Sequence, residues 1–262
     1  MNLGLSEKVA MVGGASKGLG RAVARALAAE GARVSLASRG ADAVRDASAD
    51  IGRETGVNVL GVVADLSTRE GIEQWHAATV RKYGGVDLLF ANTGGPPAGT
   101  ALGFDDAAWQ AAFDLLLMSV VRTVRLVVPS MRARGGGAIL IGTSSTVKEP
   151  VQMLALSNVM RSGVTSLAKT LSVELAADRI RVNTLVPGRI QTDRLTHLDA
   201  VHAKQAGIPL AEQQKRSAST IPQGRYGAPE EFGRVGAFLL SDAASYITGS
   251  AVYVDGGLIK TM

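Results

Sequence analysis

Three glycines, Gly14, Gly18 and Gly20, follow a short apolar run, Val9-Ala10-Met11-Val12, and lead into a helix-forming segment from Arg21 to Glu30 that Gly31 closes. Residues of this type, at this place, can hold a diphosphate. A helix N-terminus carries unpaired N–H groups and the positive end of the peptide dipoles. A phosphate reaches them only where no Cβ stands in the way, and glycine also allows the positive φ of a tight turn. The spacing is G-x-x-x-G-x-G rather than the commoner G-x-G-x-x-G. A glycine-rich surface turn without a ligand is the plainer alternative. The strand before it and the helix after it favour the phosphate role.

A second strand, Arg33 to Ser38, completes a βαβ unit and ends at Arg39. At this point a free ribose 2′-hydroxyl is met by a carboxylate and a 2′-phosphate by an arginine. No acid is present, Arg39 is, and Lys17 inside the glycine turn adds charge. NADP(H) is therefore expected in preference to NAD(H), since a guanidinium fork suits phosphate. The competing reading has Arg39 capping the strand in solvent.

The elements that position these residues alternate along the chain. Strands are expected at Val57 to Ala64, Val86 to Ala91, Ala138 to Gly142, Ile180 to Val186 and Ala251 to Val254. Helices are expected up to Thr55, from Thr68 to Tyr83, Asp105 to Arg134, Gln152 to Ala177 and Pro229 to Leu240. This is an α/β pattern: a doubly wound parallel sheet, the Rossmann fold, with helices on both faces. No repeat or linker breaks it, so residues 1–262 read as a single dinucleotide-binding and catalytic domain. The polar stretch 189–224, irregular with short helical pieces, reads as a substrate lid.

Composition narrows the function. The chain has 262 residues, 46% of them hydrophobic, and no cysteine, which excludes disulfides and thiolate chemistry and fits a cytoplasmic protein. No apolar stretch is long enough to span a membrane, and no signal peptide is evident at the start. The net charge of +5 is scattered rather than clustered, so nucleic-acid binding is not expected. His76, His197 and His202 show no ligand spacing, so no metal is expected.

The glycine turn resembles that of the short-chain dehydrogenase/reductase family, T-G-x-x-x-G-x-G, with Gly13 in place of the usual threonine. The resemblance runs over nearly the whole chain. Asp65 follows strand three as the family's adenine-binding aspartate does. Ala91-Asn92-Thr93-Gly94 is similar to N-N-A-G, and Pro187-Gly188-Arg189-Ile190-Gln191-Thr192 to P-G-x-x-x-T. The resemblance implies coenzyme contacts from Gly14, Ser16, Lys17, Gly18, Leu19, Gly20, Ser38, Arg39, Asp65, Leu66, Asn92, Gly94, Arg161, Pro187, Gly188, Ile190 and Thr192. It also implies a homotetramer built through the two long helices.

The catalytic half departs from the family, whose members use serine, tyrosine, lysine and often asparagine. Ser144 matches the serine. Counting back from Leu167-Ala168-Lys169-Thr170-Leu171, the tyrosine position holds Ser157 and the lysine position Arg161; counting from Trp109, the asparagine position holds Leu116. Ser157 and Arg161 keep the four-residue spacing and share a helical face. A serine hydroxyl is far less acidic than a phenol, and arginine yields no proton usefully. The leading expectation is an NADP(H)-dependent oxidoreductase interconverting a carbonyl and an alcohol, 3-oxoacyl-(acyl-carrier-protein) reductase-like, with Ser144, Ser157 and Arg161 catalytic. It would act on a small-molecule or acyl-thioester substrate, with the proton drawn from bound water. The alternative is a nucleotide-binding sensor or inactive subunit without redox turnover.

Overall fold

Strands rich in Val, Leu and Ile without alternation must be buried on both faces, and a parallel sheet between helices satisfies that need. The computed structural model describes residues 2–261. It contains β1 (Val9–Gly13), β2 (Arg33–Ser38), β3 (Leu60–Val63), β4 (Leu88–Ala91), β5 (Gly137–Gly142), β6 (Ile180–Pro187) and β7 (Ala251–Val254). All pairings are parallel, in the order β3-β2-β1-β4-β5-β6-β7. The chain winds outward from β1 to β3, then returns to β4 on the other side of β1. The crevice at the carboxyl ends of β1 and β4 is thus the switch point where such sheets bind ligands.

Helices α1 (Gly18–Ala29), α2 (Ala41–Thr55), α3 (Arg69–Tyr83), α4 (Asp106–Phe113), α5 (Ser119–Ala133), α6 (Ala155–Glu174), α7 (Asp193–Ala206), α8 (Leu210–Ser219) and α9 (Pro229–Leu240) connect and cover the strands. Successive residues of β1 serve different cores. Val12 joins Val23, Leu27, Phe90 and Phe232 beneath α1 and α9. Met11 joins Trp75, Leu89, Val124 and Val164 beneath α3, α5 and α6. Trp75 is 1% exposed, and its indole N–H donates to Ser35 Oγ at 3.0 Å.

The structure corrects several boundaries. The third strand, expected from Val57, begins at Leu60, because pairing with β2 starts at Ser35 opposite Leu60. Residues before it are tied to α3 instead: Asn58 accepts from Lys82 Nζ and from the Tyr83 hydroxyl. The fourth strand begins at Leu88, not Val86, since Val86 N–H donates to Ser130 Oγ at 2.8 Å. The single long helix expected from Asp105 to Arg134 is α4 and α5 joined by a five-residue π-helical turn, Asp114–Met118. The helix expected from Gln152 runs only Ala155–Glu174. The stretch 189–224 is more regular than its polarity suggested, since it contains α7 and α8; Thr192 Oγ1 caps α7 by accepting from Leu195 N–H at 3.3 Å. Arg132 and Arg134 lie exposed at the end of α5 and are both paired there. Arg132 pairs with Asp178, and Arg134 makes a two-pronged contact to the buried Asp87 carboxylate at 2.7 and 2.9 Å.

Candidate active site

The glycine turn is shaped by exclusion. Gly14 has φ +58°, and a Cβ built on it would lie 2.9 Å from Asn92 Nδ2. A Cβ on Gly20 would lie 2.4 Å from the Gly14 carbonyl oxygen, inside any permitted contact. The first turn of α1 holds no acid, and its N-cap, Lys17, supplies no side-chain acceptor. By contrast α3, α4 and α7 are capped by Thr68, Asp105 and Thr192. Among the described residues no side chain caps the first N–H groups of α1, as an anion cradle requires.

The family's threonine has no room at Gly13, where a Cβ would fall 2.5 Å from the Asn92 backbone oxygen. The turn is braced differently. Asn92 Nδ2 donates to the Gly13 carbonyl at 3.2 Å, and Ser16 Oγ donates to Ser38 Oγ at 3.0 Å, tying the turn to the end of β2. Leu19 packs partly buried against the core, and Leu66, 8% exposed, approaches Gly13.

Arg39 lies exposed beyond β2, and its charge reaches Asp65 beyond β3. Burial opposes ionisation of Asp65. Hydrogen bonds from the Ser67 N–H and hydroxyl, with Arg39 nearby, outweigh it and hold the carboxyl below the usual carboxylate range. Arg39 and Asp65 thus form one end of the crevice.

The other end gathers the candidate catalytic residues. Ser144 follows β5, where its Oγ accepts from Thr146 N–H at 3.2 Å. Ser157 and Arg161 lie one turn apart on α6, and Arg161 Nη1 donates to the Gly142 carbonyl at 2.9 Å. Burial, and secondarily the charge of Arg194, pull the Arg161 guanidinium down to about 10. It still carries its charge at neutral pH. Leu116, in the π-helical turn, is 3% exposed. With Asn92, Ser119, Thr123 and Arg161 it lines a cavity of about 10 Å³, near the minimum for one water.

The start of the 189–224 segment meets the glycine turn and the end of β7. Gly188 N–H donates to Val254 O at 2.9 Å, extending the pairing of Pro187 with β7. Ile190, 4% exposed, bridges to Gly227. Thr192 reaches Gly18: a Cβ there would lie 3.5 Å from Thr192 Cγ2. Lys17 lies 3.8 Å from Asp193, so the glycine turn and the segment meet across the crevice. Gly94 lies exposed, with open space where a side chain would be.

Two groups escape sequence reading. Ser119 and Thr123 line the small cavity but look like ordinary helix residues. Arg194 donates from Nη2 to the Pro96 carbonyl at 3.1 Å, across the crevice from its own helix. The signal for Arg194 was present, a cation two places after Thr192, but its partner lies 98 residues away.

A switch-point crevice with a side-chain-free cradle at α1 defines a dinucleotide-binding α/β protein. The chain belongs to the short-chain dehydrogenase/reductase family, a family of oxidoreductases acting on carbonyls and alcohols. The family profile described as Enoyl-(Acyl carrier protein) reductase matches residues 14–259. Dehydrogenase/reductase SDR family member 4 from Bos taurus is 36% identical over 257 residues, covering 98% of this chain and 88% of that protein. The crystal structure of L-sorbose reductase from Gluconobacter frateurii, complexed with NADPH and L-sorbose, superposes with a TM-score of 0.96 at 36% identity and covers all of both chains. An actinorhodin polyketide ketoreductase with NADPH superposes at 0.92 with 32% identity, over 97% of this chain and 98% of that one.

Proposed function

We propose that the protein is an NADP(H)-dependent reductase of ketones, among which 3-oxoacyl thioesters are one candidate class, with residues 1–262 acting as one catalytic domain and 189–224 as its lid. The observation that carries this reading is the Gly14–Gly20 contact, which leaves the amide-lined start of α1 open to a diphosphate and to nothing with a side chain. Arg39, with no carboxylate at the end of β2, favours the 2′-phosphate. The relatives solved with NADPH agree. A homotetramer, the arrangement implied by the family resemblance, is the expected assembly, and the cytoplasm the expected compartment.

The coenzyme, when bound, supplies a hydride. The chain's own residues hold and neutralise the substrate. Ser144 donates a hydrogen bond to the carbonyl oxygen. Arg161 places a fixed positive charge near the oxygen as it becomes an alkoxide, an effect strengthened by burial. With its guanidinium at about 10, Arg161 remains charged at neutral pH and acts electrostatically. Water held among Ser144, Ser157 and Arg161 delivers the proton. Loss of a dedicated general acid costs on the order of 10²–10⁴-fold, so slow turnover is expected rather than none.

The competing reading, a binding protein without turnover, draws on the bond from Arg161 to the Gly142 carbonyl, which points one arm of the cation at the backbone. Fluorescence titration with NADPH and NADH, followed by addition of a ketone panel, separates the two. NADPH is expected to bind at least about tenfold tighter than NADH, Arg39→Ala to erase that preference, and ketones to consume NADPH. Tight binding with no consumption across the panel would establish the inert reading.

A further inference from the structure

Among the described residues two carboxylates are buried, Asp87 and Asp199, 5% and 0% exposed. A buried carboxylate is costly unless its oxygens are met. Asp87 lies where β1 and β4 begin, and the Val9 N–H and Arg134 meet it. That place is the amino end of the sheet, away from the crevice. Asp199 lies in α7, after the carboxyl end of β6. Its Oδ1 accepts from Arg189 Nη1 at 3.3 Å and its Oδ2 from the Tyr226 hydroxyl at 2.8 Å. One partner precedes α7 and the other follows α8. A single carboxylate thus joins the beginning of the 189–224 segment to the residues just past its end.

The backbone is paired at the same place. Gln191 N–H donates to the Gly227 carbonyl at 2.8 Å, and Gly227 N–H donates to the Arg189 carbonyl at 3.0 Å. A Cβ on Gly227 would lie 2.6 Å from Ile190 Cδ1, so the glycine leaves room for that side chain. Helix α7 has little else to fix it. Its buried residues are Asp199 and Ala203, and α8 buries Ser217. The link from Lys17 to Asp193 joins side chains 75% and 82% exposed and contributes little. Yet α7 begins at the crevice, where its N-cap, Thr192, stands against Gly18 of the glycine turn. Directional bonds to a buried, fully met carboxylate select one orientation of a helix where loose apolar packing would allow several.

We propose that Asp199 is a positioning residue for the coenzyme: it sets residues 190–193 as the crevice wall facing the glycine turn, and so holds the half of the dinucleotide beyond the diphosphate. Being fully buried, it acts through Arg189 and Tyr226 rather than by contact. The adenosine half is independent of it, since Arg39 and Asp65 lie at the other end of the crevice, beyond β2 and β3. This deepens the reductase reading above and rests on it.

The test compares two ligands on the full chain by calorimetric titration: NADPH, and adenosine 2′,5′-bisphosphate, which carries the 2′-phosphate but no nicotinamide half. The wild type is expected to bind both. Asp199→Asn keeps the shape of the side chain and removes the charge that Arg189 faces. It is expected to weaken NADPH at least about fivefold while leaving the bisphosphate within a factor of about two. Tyr226→Phe keeps the ion pair and the ring, and is expected to show the same selective loss at about threefold. A general loss of structure would weaken both ligands together, so the difference between them reads positioning. Should Asp199→Asn not fold, Tyr226→Phe decides by the same comparison. If the wild type binds both ligands and the variants weaken both equally, or neither, the assignment of Asp199 falls and the coenzyme reading stands. If the wild type binds neither, the reductase reading falls and this assignment with it.

Discussion

Gly20→Ala is expected to weaken NADPH binding by about a hundredfold or more, close to 3 kcal/mol. Two effects oppose each other at this position. Gly20 lies within α1, where alanine in place of glycine favours a helix by about 1 kcal/mol. Against that, the new methyl would stand 2.4 Å from the Gly14 carbonyl oxygen and 2.9 Å from that of Gly13. Both are backbone atoms of the turn, so neither can swing aside as a flexible side chain would. Forcing an extra carbon into a packed position costs about 1–3 kcal/mol even where neighbours adjust. Here the adjustment moves the amides that define the cradle, so binding suffers more than folding. Gly84→Ala is the control. Gly84 has φ +79° with no neighbour within 4 Å of a built Cβ, and it caps α3 away from the crevice. That variant is expected to lose about 1–2 kcal/mol of stability through backbone strain, with no change in NADPH affinity. Isothermal titration with parallel thermal melts reads both. Equal affinity in Gly20→Ala and wild type would show that the turn does not hold the coenzyme.

The double change Ser157→Tyr with Arg161→Lys is expected to raise kcat for ketone reduction by about 10²-fold, the lower end of what a positioned general acid contributes. The two positions lie one helical turn apart on α6, and Arg161 reaches the Gly142 carbonyl at the end of β5. A phenol there would extend further toward the reacting oxygen than the serine hydroxyl, and a lysine ammonium beside it would draw its pKa down. Replacing Arg161 also frees the Gly142 carbonyl, which then needs water or the lysine as a donor. Some loss of stability is expected from that, so kcat should be compared at a temperature where both proteins are folded. Leu116 stays in its π-helical turn and continues to block a polar relay there, which is why the gain is set at the lower end. Steady-state kinetics with one ketone and saturating NADPH gives the result. An unchanged kcat in a folded double variant would mean that Ser157 and Arg161 do not flank the reacting oxygen.

The sheet was legible because each strand is a short, unalternated apolar run and each helix follows a breaker. The doubly wound class followed from that alternation and from the glycine turn; the order of strands across β1 and β4 is given by the pairings of the folded sheet. What escaped is what depends on contacts distant in sequence. The start of β3 is decided by where β2 offers partners, and the start of β4 by Ser130 and Asp87, which lie far apart in the chain. Polarity alone made 189–224 look irregular, because α7 and α8 are short helices whose polar faces meet solvent. The tight glycine turn was readable from its motif, since a glycine's role is local. Arg194 was not, because its partner, the Pro96 carbonyl, lies 98 residues away in the chain.

A crystal grown in excess NADPH measures the central claim most directly. The expected density places the diphosphate on the N–H groups of residues 18–20, the 2′-phosphate at Arg39 and the nicotinamide between Ser144 and Ile190. A coenzyme found elsewhere, or density showing the Gly14–Gly20 crevice closed by protein atoms, would contradict the account.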